Sequence, residues 1–581
     1  MLRLWPGLRG SPAPLWTYGA LQLTLWCVFA RLGGDFTPGS DVARRPVPLI
    51  VALLAANFLL YLASLACVWN VREGVGWHAR LPVLVLAFAV VFRLPLWWSQ
   101  PIQEVDLYRY LWDGRVLQAG VNPYRYTPAQ VDEALQGQVT TPALEVLVAR
   151  LHRSEPLREI FHQIEHRSVA TIYLPLSQVM FAVAAWLTPE RSPVLSQVRV
   201  LKGILLAFDF AVLALVMCLL RNIGQPVGRA LAYGWCPLII KEFANSGHLD
   251  SIAVCFTTAT LWLLTRSRDG AGDPASLPLP SWRVTFTDWL AATTLACATL
   301  AKLYPFVLAS LLLAYGWRRL RWQLAFPAML FASLLAAGYA GLPRNLGARG
   351  GATSNPAIIH AGSPNGTDHS SFSGLGKFLR RWEMNDLLFA VVYENLRPVS
   401  DAPGARARPW FVFVPARTRE GVLQAMNAVA RFVGVEPSRH NLPFLFTQVL
   451  MGAILAAVVI SLALRRWPDD RRGELLRRAF LCLAWLWYLS ATQNPWYWSW
   501  ALPLVLFVSR PWLLVSGFAL LYYLRFWFIY HIPETALPGG LNSQRFFDEV
   551  VVWVERLPVL LWGALESGRK KKLSFANHPG A

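Results

Sequence analysis

Charge is what this chain has least of. Only 15% of its 581 residues are Asp, Glu, Lys or Arg, while 55% are hydrophobic. A soluble protein of that length would carry about a quarter charged residues, so water is excluded as the main solvent. Cysteine is scarce too: Cys27, Cys67, Cys218, Cys236, Cys255, Cys297 and Cys482 all lie in apolar stretches, and no CxxC pair occurs. That pattern excludes a disulfide framework and a thiolate metal site. Internal repeats are missing and the long loops are unevenly spaced, which counts against a transporter built from inverted halves.

What is abundant is apolar sequence in about fifteen blocks, many of them roughly 15–23 residues, the length that spans a hydrocarbon core as helix. They run from 16–34, 47–69 and 80–98 through 169–187, 198–220, 229–245, 248–265, 288–301, 303–316 and 322–342. The last are 441–464, 475–492, 496–509, 511–531 and 547–566. The expected fold is an all-α polytopic membrane protein, a bundle of about twelve to fifteen transmembrane helices with interfacial helices in its external loops. The expected divisions are N-terminal helices (1–98), a first external loop (99–168) and a central bundle (169–342). A second external loop (343–440), C-terminal helices (441–566) and a basic cytoplasmic tail (567–581) follow. The first apolar block leads into further spans rather than a cleavage site, so it reads as a retained helix.

The net charge of +20 sits largely in short loops and the tail, as in Arg318-Arg319, Arg465-Arg466, Arg471-Arg472 and Lys570-Lys571-Lys572. That is the positive-inside pattern, not a nucleic-acid footprint. It places both long loops on the non-cytoplasmic side. Counts from the two ends differ by one crossing between residues 99 and 246, and a juxtamembrane or re-entrant 169–187 segment would reconcile them.

The chemistry concentrates at Gln103-Glu104-Val105-Asp106-Leu107-Tyr108-Arg109-Tyr110-Leu111-Trp112-Asp113-Gly114-Arg115, two carboxylates one residue apart at the head of an aromatic-rich helix. On a helical wheel Val105, Tyr108, Trp112, Val116 and Ala119 form one stripe, with Asp106, Arg109, Tyr110 and Asp113 on the adjoining polar face. Such a helix is expected on the bilayer surface, its polar side toward an aqueous pocket. Glu104 and Asp106 can serve one site only if 103–106 is extended. Alternatively, Asp106 caps the helix or pairs with Arg109, and Asp113 pairs with Arg109. Lys241 and Glu242 lie inside an apolar block, where charge is usually paired or functional; mutual or cross-helix pairing is the expectation. Asn365-Gly366-Thr367 has the form of a glycosylation acceptor, relevant only in a eukaryotic secretory route.

This motif, with Gln118-Ala119-Gly120-Val121-Asn122-Pro123-Tyr124 after it, resembles the first external loop of bacterial GT-C mannosyltransferases that use polyprenyl phosphomannose, closest to actinobacterial α-1,6-mannosyltransferases. Gly247-His248-Leu249-Asp250 resembles the family's Gly-His-Asn-Asp turn with Leu249 for Asn. Lys302-Leu303-Tyr304-Pro305 resembles its Lys-x-x-Pro turn, and Asn494-Pro495-Trp496-Tyr497 a His-Pro-Trp-Tyr turn with Asn494 for His. The likeness runs from about residue 80 to 510.

The resemblance implies a glycosyltransferase in the bacterial plasma membrane with its site on the extracytoplasmic face. Its partners would be a polyprenyl-phosphate-linked sugar, a glycan or glycolipid acceptor and membrane lipid, with no nucleic acid and no cofactor. It places Asp106 as catalytic base with Glu104 beside it. Arg109, Tyr110, Asp113, His248, Asp250, Lys302, Tyr304, Trp496 and Tyr497 would bind substrate. One carboxylate suffices, because a phosphate leaves without protonation, whereas glycoside hydrolases need two. No metal is expected, although Glu104, Asp106 and His248 offer suitable ligands. Two rivals remain: a lipid-linked glycan flippase, and a polymerase or ligase using a diphosphate-linked donor, for which Arg344, Arg349, Arg406, Arg408 and His369 in 343–440 are the candidates.

Overall fold

Uncharged runs of Leu, Ala, Val and Phe become long helices because, away from water, a helix is how a single segment satisfies its own backbone. The computed structural model describes residues 12–69, 80–266, 284–345, 374, 382–398, 411–432, 441–468, 471–531 and 546–576. Among these residues the regular structure is helical, apart from one isolated bridge between Met384 and Thr492. Six stretches are long and apolar enough to cross a bilayer: Val47–Trp69, Leu81–Trp98, Val194–Asn222, Tyr304–Ala340, Leu442–Leu464 and Trp512–His531. The chain is an all-helical integral membrane protein.

Apolar blocks outnumber these six because several of them form short or irregular helices. Pro175–Leu187 has thirteen residues, about 20 Å of helix, too short for a hydrocarbon core of about 30 Å. Block 229–245 divides into short turns that end in a π-helix, Ile240–Asn245. Block 496–509 becomes two 3-10 helices, Pro495–Trp500 and Leu502–Phe507, each with proline in its first turn. The Asn365 sequon and Arg349, His369, Arg406 and Arg408 lie outside the described residues.

Three helices, α1 (Ala13–Leu32), α2 (Val47–Trp69) and α3 (Leu81–Trp98), lead to the motif-bearing loop. The loop carries α4 (Asp106–Gln118), α5 (Pro128–Leu135), α6 (Pro142–Arg153) and α7 (Glu155–His162), before α8 (Pro175–Leu187) and α9 (Val194–Asn222). Its start is tied down firmly. Lys202 of α9 donates to the Leu96 and Ser99 carbonyls at 2.6 and 3.1 Å, capping α3. Asn245 of the π-helix donates to Ser99 Oγ and the Gln100 carbonyl and accepts the Ile102 N–H.

The expectation of a surface-lying α4 is corrected here: Leu107, Tyr108, Tyr110, Leu111, Trp112, Asp113, Gly114, Arg115 and Val116 are all buried. Helix α8 covers the face expected to be wet. Gly114 permits this, since a Cβ there would stand 2.3 Å from the Phe181 carbonyl oxygen. Tyr110 stacks on Phe181 with ring centroids 4.7 Å apart. Arg115 donates to the Ala185 and Thr188 carbonyls and to Gln197, closing the end of α8. The motif therefore builds a buried frame as well as a site.

Candidate active site

At the head of α4 the chain opens into a cavity of about 820 Å³. Glu104, Asp106, Arg109, Tyr110, Asp250, Lys302, Tyr304, Trp496 and Tyr497 all line it. Residues from four separate motifs thus meet in one space. Two expected substrate-binding residues stand behind the wall instead. Asp113 is buried, accepting from Arg109 Nε at 2.9 Å and Gln178 Nε2 at 3.0 Å. His248 is buried behind Glu104 and Trp496.

The two carboxylates of the motif have different surroundings. Residues 103–105 are not helical, and Gln103 takes φ 53°, in the left-handed region. Freed from helical geometry, Glu104 and Asp106 come together, as a shared site requires. Glu104 is fully engaged: Oε1 accepts the N–H groups of Val105 and Asp106 at 3.0 and 2.7 Å, and Oε2 stands 3.1 Å from His248 Nε2. Glu104, not Asp106, thus caps the start of α4. Among the described residues, no side chain hydrogen-bonds or ion-pairs with the Asp106 carboxylate.

Electrostatics follow this division. Burial pushes the Asp106 carboxyl up to about 7, with the Glu104 charge adding to it and His248 and Lys302 opposing. Burial alone would also raise Glu104, but the charge and hydrogen bond of His248, the Lys241 charge and the Asp106 N–H together outweigh it and hold Glu104 below the ordinary range. For His248, in the turn before the helix Asp250–Thr265, burial would lower the value, yet Glu104 and Glu242 carry it up to about 10. Near neutrality the site holds an anionic Glu104, a cationic His248 and an Asp106 poised to exchange its proton. Glu104, Asp106 and His248 each bring one ligand atom within 4.8 Å of the others, a set able to hold a divalent ion.

The turn Gly247-His248-Leu249-Asp250 is shaped by its glycine. Gly247 has φ 66°, and a Cβ there would meet Leu107 Cδ2 at 2.8 Å. Three residues on, Asp250 Oδ1 accepts from Lys302 Nζ at 2.6 Å and from Trp500 Nε1 at 2.5 Å. Lys302 lies 4.4 Å from the Tyr497 ring centroid, and Trp500 stacks between Tyr304 and Tyr497 at 4.4 and 4.5 Å. Aromatic residues in the Lys302 and Trp496 turns thus form one wall around a lysine that keeps some exposure to the cavity. Sequence reasoning missed Trp500, Asn245 and Tyr523 as parts of this assembly. Trp500 belongs to an aromatic run, Trp496-Tyr497-Trp498-Ser499-Trp500, that reads either as an interface belt or as a surface stacking on sugar or prenyl chain, and nothing in the local sequence marks Tyr523.

The described residues thus form a helical membrane bundle whose loop-borne carboxylate faces a lysine- and aromatic-lined cavity. Residues 21–143 match the family model of the MptA/B family, alpha-(1->6)-mannopyranosyltransferase, N-terminal domain. The matched segment contains α4 and both carboxylates. No curated protein and no solved structure gave a match.

Proposed function

We propose that the protein transfers a mannosyl residue from a polyprenyl-phosphate donor to an extracytoplasmic glycan or glycolipid acceptor by a single inverting displacement. Asp106 is the base. One observation carries this reading: of the four acidic residues nominated by the sequence, Glu104, Asp113 and Asp250 are bound to other groups, and Asp106 alone keeps its carboxylate open to the cavity. Asp106 takes the acceptor hydroxyl proton, the acceptor oxygen bonds to the anomeric carbon, and the carbon–phosphate oxygen bond breaks. Lys302 offers its remaining N–H donors to the leaving phosphate, since an ammonium has three and Asp250 uses one. Arg109 contributes less, because it donates to Asp113 and to the Val169 carbonyl.

The cavity's chemistry suits a lipid donor. Leu303 and the helical residues Phe306 and Val307 flank it on one side, and Met451, Gly452 and Leu455 of another helix flank it too. Phe306 is 57% exposed within a stretch that the rest of the protein barely covers. A prenyl chain would lie along this side with its phosphate toward Lys302.

Inversion leading to an α-linked product requires a β-linked donor. Purified protein should therefore transfer mannose from synthetic polyprenyl β-phosphomannose to mixed oligomannoside acceptors, with no turnover of the α-anomer. Turnover only of diphosphate-linked glycans, or movement of a lipid-linked glycan without transfer, would replace this reading with a polymerase or a flippase.

A further inference from the structure

We propose that Glu242, a residue outside the cavity, is a positioning residue for Asp106, acting through His248 and Glu104. The proposal rests on the reading of Asp106 as the base.

Glu242 is fully buried in an apolar block, where an anion is costly unless it is compensated. Its sequence neighbour Lys241 is the expected partner, and the pair is present as a long ion contact of 3.9 Å. Lys241 Nζ makes its short contacts elsewhere, donating to Ser246 Oγ at 2.6 Å and to the Tyr523 hydroxyl at 2.7 Å. The Glu242 carboxylate is spread between two other groups: Oε1 accepts from the Tyr523 hydroxyl at 2.6 Å, and Oε2 lies 3.2 Å from His248 Nε2. Lys241 is therefore one of three partners of this carboxylate, and the two closer ones lead toward the site.

Backbone geometry points the same way. Glu242 sits in the π-helix Ile240–Asn245, whose wider turn shifts the residues after it relative to an α-helix. The Glu242 carbonyl then accepts the His248 N–H at 3.0 Å, so the histidine is held by backbone and side chain of the same residue. Gly247, with φ 66°, allows the chain to turn back for this contact. On its other face the imidazole stacks on Trp496 at 4.2 Å and 16°, which fixes the ring plane. The ring nitrogen so directed stands 3.1 Å from Glu104 Oε2, and Glu104 Oε1 accepts the Asp106 N–H at 2.7 Å. A continuous set of short contacts therefore runs from Tyr523 through Glu242, His248 and Glu104 to the backbone of the proposed base. Positioning groups of this kind affect turnover more than substrate binding, because a carboxylate displaced by a fraction of an ångström is a poorer base.

The test is a mutant cycle on the full-length protein. Glu242→Gln should lower kcat about 10- to 100-fold with KM for donor and acceptor within about twofold of wild type, and Glu242→Asp should recover part of the loss. If Glu242 acts through Glu104, the double variant Glu104→Gln/Glu242→Gln should be no slower than Glu104→Gln alone. Independent losses that multiply, or Glu242→Gln within twofold of wild type, would overturn the proposal. Should Glu242→Gln fail to give folded protein, Tyr523→Phe keeps every charge and removes one anchor of Glu242. It should lower kcat about threefold to tenfold, and wild-type turnover there would overturn the proposal. An active Glu242→Gln beside an inactive Asp106→Asn would remove only this inference, whereas an active Asp106→Asn would remove the base assignment itself.

Discussion

Two aspartates, Asp209 and Asp106, show how differently this bundle treats a carboxylate. Asp209 of α9 is sealed among helices: Oδ2 accepts from Arg93 Nε at 2.5 Å and Oδ1 from the Tyr233 hydroxyl at 2.7 Å. Arg93 also donates to the Ala89 and Gly234 carbonyls. Asp106, at the head of α4, has none of these partners and faces a cavity. A buried ion pair is satisfied because both members would otherwise be stranded in a medium that solvates neither. An unsatisfied carboxylate at a cavity persists because the surrounding scaffold holds it there, and such sites are where chemistry is found. Charge in an apolar chain therefore has two meanings, and partners distinguish them better than sequence position does.

The comparison is broken most sharply by exchanging the two residues' fates. Asp209→Asn strands the Arg93 guanidinium and should cost about 3–5 kcal/mol of stability, while the protein that remains folded keeps its turnover. Asp106→Asn should leave the melting temperature unchanged or higher. The raised Asp106 carboxyl contributes stability only in its protonated form, and that contribution is lost as pH rises through about 7. Thermal unfolding of both variants in the same detergent decides the point; equal destabilisation would erase the distinction.

A smaller effect concerns pH. A base must be deprotonated to act, so kcat/KM should fall about tenfold per pH unit below about 7 and level off above it. Burial and the Glu104 charge set that value; Glu104→Gln should move the limb to lower pH by removing the negative neighbour. A limb that stays in place in Glu104→Gln would assign it to another group.

The smallest expected effect is that of chelation. His248 stands between Glu104 and Glu242 at 3.1 and 3.2 Å, where its positive charge can serve as the counter-ion of the cluster. EDTA should change turnover by less than about twofold. A large loss restored by Mn²⁺ or Zn²⁺ would show that Glu104, Asp106 and His248 hold an ion instead.

Much of this arrangement was legible in the sequence, for identifiable reasons. Long apolar runs report helices directly, because bilayer thickness fixes their length. The pair Glu104 and Asp106 stood out because carboxylates are rare here, and the motif around them carried the resemblance to a family whose model matches residues 21–143. What stayed hidden depends on contacts distant in sequence. Pairing of Asp113 with Arg109 was one reading of the motif and is what the structure has; that Gln178 of α8 also closes over Asp113 depends on a helix distant in sequence. The polar face of α4 looked wet because a wheel does not show that Gly114 lets α8 approach. Glu242 stood out as a buried charge, but its direction depends on a π-turn that no local pattern announces.

The assignment on which the proposed mechanism stands is Asp106, and not its neighbour, as the group that removes the acceptor proton. The most direct measurement compares Asp106→Asn with Glu104→Gln in mannose transfer from polyprenyl β-phosphomannose by purified protein. Asp106→Asn should show no measurable transfer, a loss of at least about 1,000-fold, and Glu104→Gln should be slower by about 10- to 100-fold but still turn over. Turnover in Asp106→Asn together with a dead Glu104→Gln would contradict it and pass the role of base to Glu104.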